Sequence, residues 1–222
     1  MIFNKLSAYK KLIALEVFFQ LIEKTVRVIF GVIVVKKISY YLGPADFGNL
    51  NFIESFFTLL MGISIFGMDV ILVKKFLTQT DNDYKEKIFI NGFILIFLTS
   101  LFSILFSVIL FNQFSNFRYQ SLLILVLFSV IFNPFTVSEI NLIACNKVRF
   151  ISILRTIIFI IISLLKITIV YLKFPFKYFA FIIIIETIMF SILIYTFNFI
   201  KFKLSLIDIN FVKGLFKEGL TI

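Results

Sequence analysis

Residues 88–111 read IFINGFILIFLTSLFSILFSVILF, an apolar run without a single Asp, Glu, Lys or Arg. About 20 helical residues cross a ~30 Å hydrocarbon layer, so this run is long enough to span a bilayer as one helix. Transmembrane strands need short alternating segments, and this block is long and continuous, which excludes a barrel. The composition of the whole chain agrees. Hydrophobic residues make up 61% of its 222 residues, charged residues 15%, and mean hydropathy is +1.08. Soluble domains carry about 25% charged residues, and a soluble chain of this length leaves too much surface wet to hide so much apolar side chain. The expected fold class is therefore all-α: a polytopic transmembrane helix bundle of about six helices.

Upstream of the run lies KKFLTQTDNDYKEK (74–87), a polar connection, and before it a helix expected over 47–72. Gly43-Pro44 in SYYLGPADFG is a strong turn signal, Pro44 restraining the residue before it, and Asp46 is placed to cap the helix that follows. The first helix is expected over 12–37. Basic residues Lys5, Lys10 and Lys11 precede it, and Glu16, Glu23, Lys24 and Arg27 interrupt it, a pattern unlike a cleavable signal peptide. Downstream, the loop NQFSNFRYQ leads to a helix over 121–144, where Pro134 removes a backbone hydrogen bond and should produce a kink. Asn146, Lys147 and Arg149 mark a short turn. Helices over 150–171 and 178–200 follow, separated by LKFPFK, and the tail 201–222 is amphipathic. The chain thus reads as one transmembrane lobe.

Lys and Arg counts orient it. With the N-terminus inside, the inner segments hold Lys5, Lys10, Lys11, Lys74, Lys75, Lys85, Lys87, Lys147, Arg149, Arg155, Lys201, Lys203, Lys213 and Lys217, fourteen in all. The outer segments hold five: Lys36, Lys37, Arg118, Lys173 and Lys177. This positive-inside bias predicts six crossings with both termini cytoplasmic. The net charge of +10 and pI near 9.7 are explained by that orientation more simply than by nucleic acid. With no His and one Cys, Cys145, neither an internal disulfide nor a His/Cys metal cluster can form. Cys145 reads as a small packing residue near a helix end.

Charges inside the apolar blocks mark the candidate site, because a charge in lipid must face protein or a water-filled cavity. Glu23 and Arg27 are four residues apart and share a helix face, with Lys24 close to it. Two readings stand: an internal cationic site for an anionic substrate, or a structural Glu23–Arg27 pair. Arg155, one turn into its helix, either contacts a phosphate entering from the inner leaflet or extends to the interface. Glu54, Glu139 and Glu186 are coupling or structural carboxylates. Asp69 sits near Lys74 and Lys75 and reads as their interfacial partner, whereas Lys166 has no acidic neighbour in sequence. Gly31, Gly62 and Gly67 permit close helix approach or a hinge. Tyr40, Tyr41 and Tyr178 fit an interfacial aromatic belt. No Ser-His-Asp or Cys-His set, phosphate loop or dinucleotide fingerprint is present, so no catalytic residue, metal or cofactor is expected.

ISYYLGPADFGNLNFIESFFTLLMGISIFGMDVILVKKF resembles the N-terminal region of Wzx-type oligosaccharide repeat-unit flippases, within the multidrug/oligosaccharidyl-lipid/polysaccharide exporter superfamily. The resemblance covers about residues 12–77: a helix ending in a Tyr-Leu-Gly-Pro turn, Asp46-Phe47-Gly48, then Phe66-Gly67-Met68-Asp69 and a hydrophobic-basic run. Over 88–200 it rests on helix spacing and on Ala144, Asn146, Lys147 and Arg149. It implies transfer of undecaprenyl-diphosphate-linked oligosaccharide across the bacterial cytoplasmic membrane, for O-antigen, capsule or related polymers. It further implies two six-helix lobes around an often cationic cavity, contact with membrane lipids and polysaccharide assembly proteins, and Lys24 and Arg27 as cavity cations. This chain supplies one lobe, so either a second lobe is missing or two copies form a homodimer. The alternatives are a cation-coupled small-molecule or drug exporter and a nonenzymatic membrane assembly component.

Overall fold

The computed structural model describes residues 2–113, 118–198, 200 and 202–221, with side chains from residue 14 onward except at 111–113. Lys5, Lys10, Lys11, Lys201 and the centre of the NQFSNFRYQ loop (114–117) lie outside these described side chains or residues. Among the described residues the elements are helical throughout: α1 Ile2–Ile65, α2 Met68–Thr78, α3 Asn82–Gln113, α4 Gln120–Phe128, α5 Thr136–Ala144, α6 Val148–Tyr171, α7 Lys177–Thr196 and α8 Ile209–Gly219. Short 3₁₀ segments occupy Ser129–Phe135 and Leu204–Leu206. Four stretches are long and apolar enough to cross a membrane: Asn82–Leu110, Gln120–Ala144, Val148–Tyr171 and Lys177–Thr196. A fifth follows if Ala14–Ile65 and Met68–Thr78, bent by 42°, count together. The chain is an all-α polytopic membrane protein.

The two helices expected over 12–37 and 47–72 join without a loop, because the chain turns on one residue. Gly43 has φ 73° and ψ 172°, a backbone region essentially closed to residues with a Cβ. Pro44 then opens the next limb, its missing N–H harmless in a first turn. Asp46 therefore lies inside the second limb and does not cap it; its carboxylate instead accepts a hydrogen bond from Tyr119 Oη at 2.9 Å. Contacts with α6 show how far the chain turns. Arg27 lies over Phe159 (5.1 Å), while Lys166 Nζ bonds Glu54 Oε1 at 3.0 Å. Positions 27 and 54 would be about 40 Å apart along one straight helix, yet their α6 partners are separated by about 10 Å of helical rise. The second limb must therefore fold back beside the first. Limb one runs parallel to α6, with Arg149 over Phe19, Lys37 over Tyr171 and Tyr41 Oη donating to Phe174 O.

The second limb stops earlier than expected, at Ile65, where Phe66 and Gly67 both take positive φ (52° and 69°). The helix around Pro134 does not simply kink. It tightens into the 3₁₀ segment, and side chains meet its backbone: Ser191 Oγ donates to Phe132 O and Thr136 Oγ1 to Asn133 O. Lipid offers no water to carbonyls freed by a proline, so such donors are needed inside the protein. Thr99 Oγ1 likewise donates to Ser64 O at 2.5 Å, tying α3 to the second limb. The other expected helices differ by a few residues at their ends. Cys145 does close a helix, at the C-terminus of α5, but it is exposed and is not a packing residue.

The amphipathic tail folds back on the bundle as α8. Its Leu215 is buried with Met68, Leu72, Ile88 and Phe89. Phe216 stacks on Phe66 at 5.2 Å, and a Cβ on Gly219 would lie 2.8 Å from Met68 Cε. Asp208 caps α8 by accepting from the amides of Asn210 and Phe211. It also accepts from Lys87 Nζ at 2.7 Å, while Asn91 bonds the backbone of Leu206 and Asp208. Lys203 pairs with Glu86 and Asp83, so the acidic stretch 81–87 anchors the tail.

Two outcomes follow from this fold. Gly43→Ala should cost roughly 1–3 kcal/mol, because alanine is strained in that backbone region, and unfolding in detergent measures the loss. The Lys87 hydrogen bond, then the Phe211 amide, hold the Asp208 carboxyl below its ordinary range. A depressed acid stabilises the docked state above its unfolded value, about 3.9, and that contribution is lost as pH falls through the lower folded value. Hydrogen exchange across 209–219, corrected for its intrinsic pH dependence, should therefore accelerate on acidification. Asp208→Asn should remove that response.

Candidate functional site: a charged cavity between the helices

A cavity of about 1040 Å³ opens between both limbs of α1, the 3₁₀ segment, α5, α6 and α7. Its position follows from the turn at Gly43, which brings positions 23–35 and 54–65 to the same space. All seven candidates from the sequence line it: Lys24, Arg27, Arg155, Glu23, Glu54, Glu139 and Glu186. Asp69 and Lys166 join them. The wall therefore carries five carboxylates and four cations, close to neutral and not the predominantly cationic wall the resemblance implies.

Three of the cations are held by acids. Arg27 pairs with Glu23 at 3.2 Å along one helix, as the four-residue spacing predicts. Arg155 hydrogen-bonds Glu139, linking α6 to α5. Lys166 pairs with Glu54 across the bundle, a partner 112 positions away. Asp69 makes no ion pair among the described residues; the expected pairing with Lys74 or Lys75 is absent, and Lys75 instead bonds Glu218 of α8 at 2.9 Å.

The three pairs share one cavity wall. Glu186 and Lys24 line the cavity without an ion pair of their own among the described residues. A ligand phosphate entering here would meet Lys24 directly and would compete with Glu23 for Arg27 and with Glu139 for Arg155.

Asn133 also lines the cavity, and its role was not read from the sequence. It is 1% exposed; its amide nitrogen donates to Met61 O and bonds Ser64 Oγ, while Oδ1 lacks a donor. A polar residue beside Pro134 inside an apolar block was the available signal. Gly31 lies on the wall, and Gly31, Gly62 and Gly67 all have open space where a Cβ would stand, so none marks a close helix approach. Among the described residues no cluster of three or more His, Cys, Asp or Glu side chains is arranged to hold a metal.

Comparison with family models, with curated proteins and with solved structures finds no match. The arrangement itself thus carries the functional argument: an all-helical membrane bundle with a sizeable cavity among its helices, apolar over most of its lining and studded with charged side chains.

The Lys166–Glu54 pair joins α6 to the second limb, so removing one partner strands the other. Lys166→Met and Glu54→Gln should each destabilise the bundle, and the double variant should lose less than their sum. A coupling of about 0.5–3 kcal/mol is expected from a double-mutant cycle of detergent unfolding. Strict additivity would show that the pair is not energetically coupled.

Proposed function

We propose that this chain forms a transport lobe that moves an amphiphilic, phosphate-bearing lipid between membrane leaflets. Its substrate, on this reading, is an undecaprenyl-diphosphate-linked oligosaccharide, carried outward across the bacterial cytoplasmic membrane for surface polysaccharide synthesis. The observation that carries the proposal is the cavity wall with Lys24, Arg27, Arg155 and Lys166 inside an apolar bundle. Cations placed among apolar helices are costly unless they serve an internal partner or pathway. A diphosphate offers strong acceptors for guanidinium groups, while the glycan occupies the cavity and the prenyl chain stays in lipid. The resemblance of residues 12–77 to oligosaccharide flippases supports the same substrate.

The ion pairs suggest the sequence of events. Incoming diphosphate takes Lys24 first, then replaces Glu23 at Arg27 and Glu139 at Arg155. Displaced carboxylates must be protonated, solvated or paired elsewhere, so binding favours rearrangement of the helices that carry them. The breaks at Gly43 and Phe66–Gly67 delimit the limb that would move. The Lys and Arg distribution alone favours both termini inside and six crossings, whereas four stretches, or five with the bent pair, are long and apolar enough to cross. Access from both leaflets would be completed by a second lobe or by a second copy of this lobe.

A second reading, cation-coupled export of small molecules, is favoured by the excess of carboxylates over cations on the wall and by Glu186 lacking its own cation. The two readings separate in vesicles containing the protein and a diphosphate-linked oligosaccharide lipid. Arg27→Ala should slow outward transfer about tenfold or more, the loss expected for a charged hydrogen bond of about 1.5–3 kcal/mol. Normal lipid transfer by a folded Arg27→Ala variant, with drug efflux abolished in Glu186→Gln, would favour the exporter. Absence of both activities in folded protein would leave a nonenzymatic assembly role as the better account.

A further inference from the structure

A second opening lies on the other side of limb one, facing away from the charged cavity. It is an open groove of about 810 Å³ between limb one and α6, lined by Val32, Ile33, Lys36, Lys37, Tyr40 and Val170, with Tyr41 at its edge. On a helix, residues 32, 36 and 40 with 33 and 37 form one stripe, whereas the cavity residues 23, 27, 31 and 34 form another. The groove therefore belongs to the outer surface of the bundle, where an apolar membrane protein meets lipid.

Its charge is one-sided. No carboxylate lines it, and neither Lys36 nor Lys37 has an acidic partner among the described residues. Lys37 Nζ lies 5.5 Å from the Tyr171 ring centre, which holds the ammonium beside the groove while leaving its donors unused. Tyr40 is 81% exposed and carries a free hydroxyl. The nearest acidic group along the chain, Asp46, is taken by Tyr119 and Arg118. In the central cavity, by contrast, three of four cations are already matched by acids. Vertically the groove is graded: Val32 and Ile33 are apolar, the lysines follow one turn later, and Tyr40 lies next to the turn at Gly43. Apolar wall below and cationic donors at the chain reversal match a lipid, acyl chain along the valines and headgroup at the lysines.

We infer that this groove binds an anionic phospholipid, with Lys36 and Lys37 holding the phosphate, Tyr40 beside it, and Val32 and Ile33 receiving an acyl chain. The site is separate from the transport reading and stands or falls without it. Two exposed ammonium groups one turn from an apolar surface attract an anionic headgroup. The preference should weaken with salt, since the headgroup region is partly screened.

The chain contains no Trp, so one introduced indole reports on one place. Tyr40→Trp protein is reconstituted in vesicles containing either brominated phosphatidylglycerol or brominated phosphatidylcholine, and quenching of its fluorescence is compared. Leu105→Trp, 63% exposed toward the C-terminal end of α3, serves as the lipid-facing control and should be quenched equally by both. At position 40 the anionic lipid should quench several-fold more effectively. Adding Lys36→Gln and Lys37→Gln should bring the two lipids to equality, while Lys213→Gln with Lys217→Gln in α8 should change nothing. Equal quenching at position 40 with lysines intact, in vesicles where Leu105→Trp responds, would overturn the inference. So would an anionic preference that survives loss of both lysines.

Discussion

A charge placed among membrane helices needs an opposite charge or a polar space, and the architecture of this protein follows from meeting that need. Arg155 with Glu139 and Lys166 with Glu54 tie α6 to α5 and to the second limb of α1, while Arg27 meets Glu23 within the first limb. Hydrophobic burial cannot choose between helix arrangements as it does in water, because lipid tails are as apolar as the side chains. Polar pairs supply that choice here. They also gather the charged groups of the helices around one cavity whose remaining lining is largely apolar.

The backbone obeys the same rule. Each interruption of a helix is met by local geometry or by a donor from a neighbour. Gly43 reverses the chain in one residue, so no loop enters the apolar layer. The Pro134 region tightens to 3₁₀ and receives hydroxyls from Ser191 and Thr136. At one end Tyr119 stacks on Phe176 and bonds Asp46, joining three chain reversals. At the other, α8 is fastened through Asp208, Lys203 and Glu218 to α2 and α3. The bundle thus has one end closed by aromatic contacts and one closed by ion pairs.

Near-neutrality of the cavity gives the transport proposal a specific form. On that proposal an anionic ligand finds Lys24 open, but Arg27 and Arg155 already hold carboxylates. Binding has to be an exchange, and exchange links occupancy to the positions of α1, α5 and α6. The lipid-side groove has the opposite character, with lysines free of acids, and suits a ligand that stays bound while the central exchange proceeds.

Composition and the length of the apolar blocks determined by themselves that this is an all-α membrane protein, because a charge-poor run such as 88–111 has few other stable settings. The four-residue spacing likewise placed Glu23 and Arg27 within reach of each other, which needs only a helix, while leaving open whether they pair or serve a ligand. Charges within the blocks marked Glu54, Glu139 and Glu186 as cavity or helix-pairing groups and left Arg155 between cavity and interface; all four lie on the cavity wall. What only the tertiary structure decided are the pairings between distant segments. Lys166 finds Glu54 from 112 positions away, and Lys75 finds Glu218 rather than nearby Asp69. Asp46 was read as a cap and became a tertiary acceptor, since the one-residue turn at Gly43 moved the helix start ahead of it. Local chemistry fixes helices and near neighbours; the partner of a charge in the membrane depends on which helix faces share the interior, and that is settled only when the helices pack.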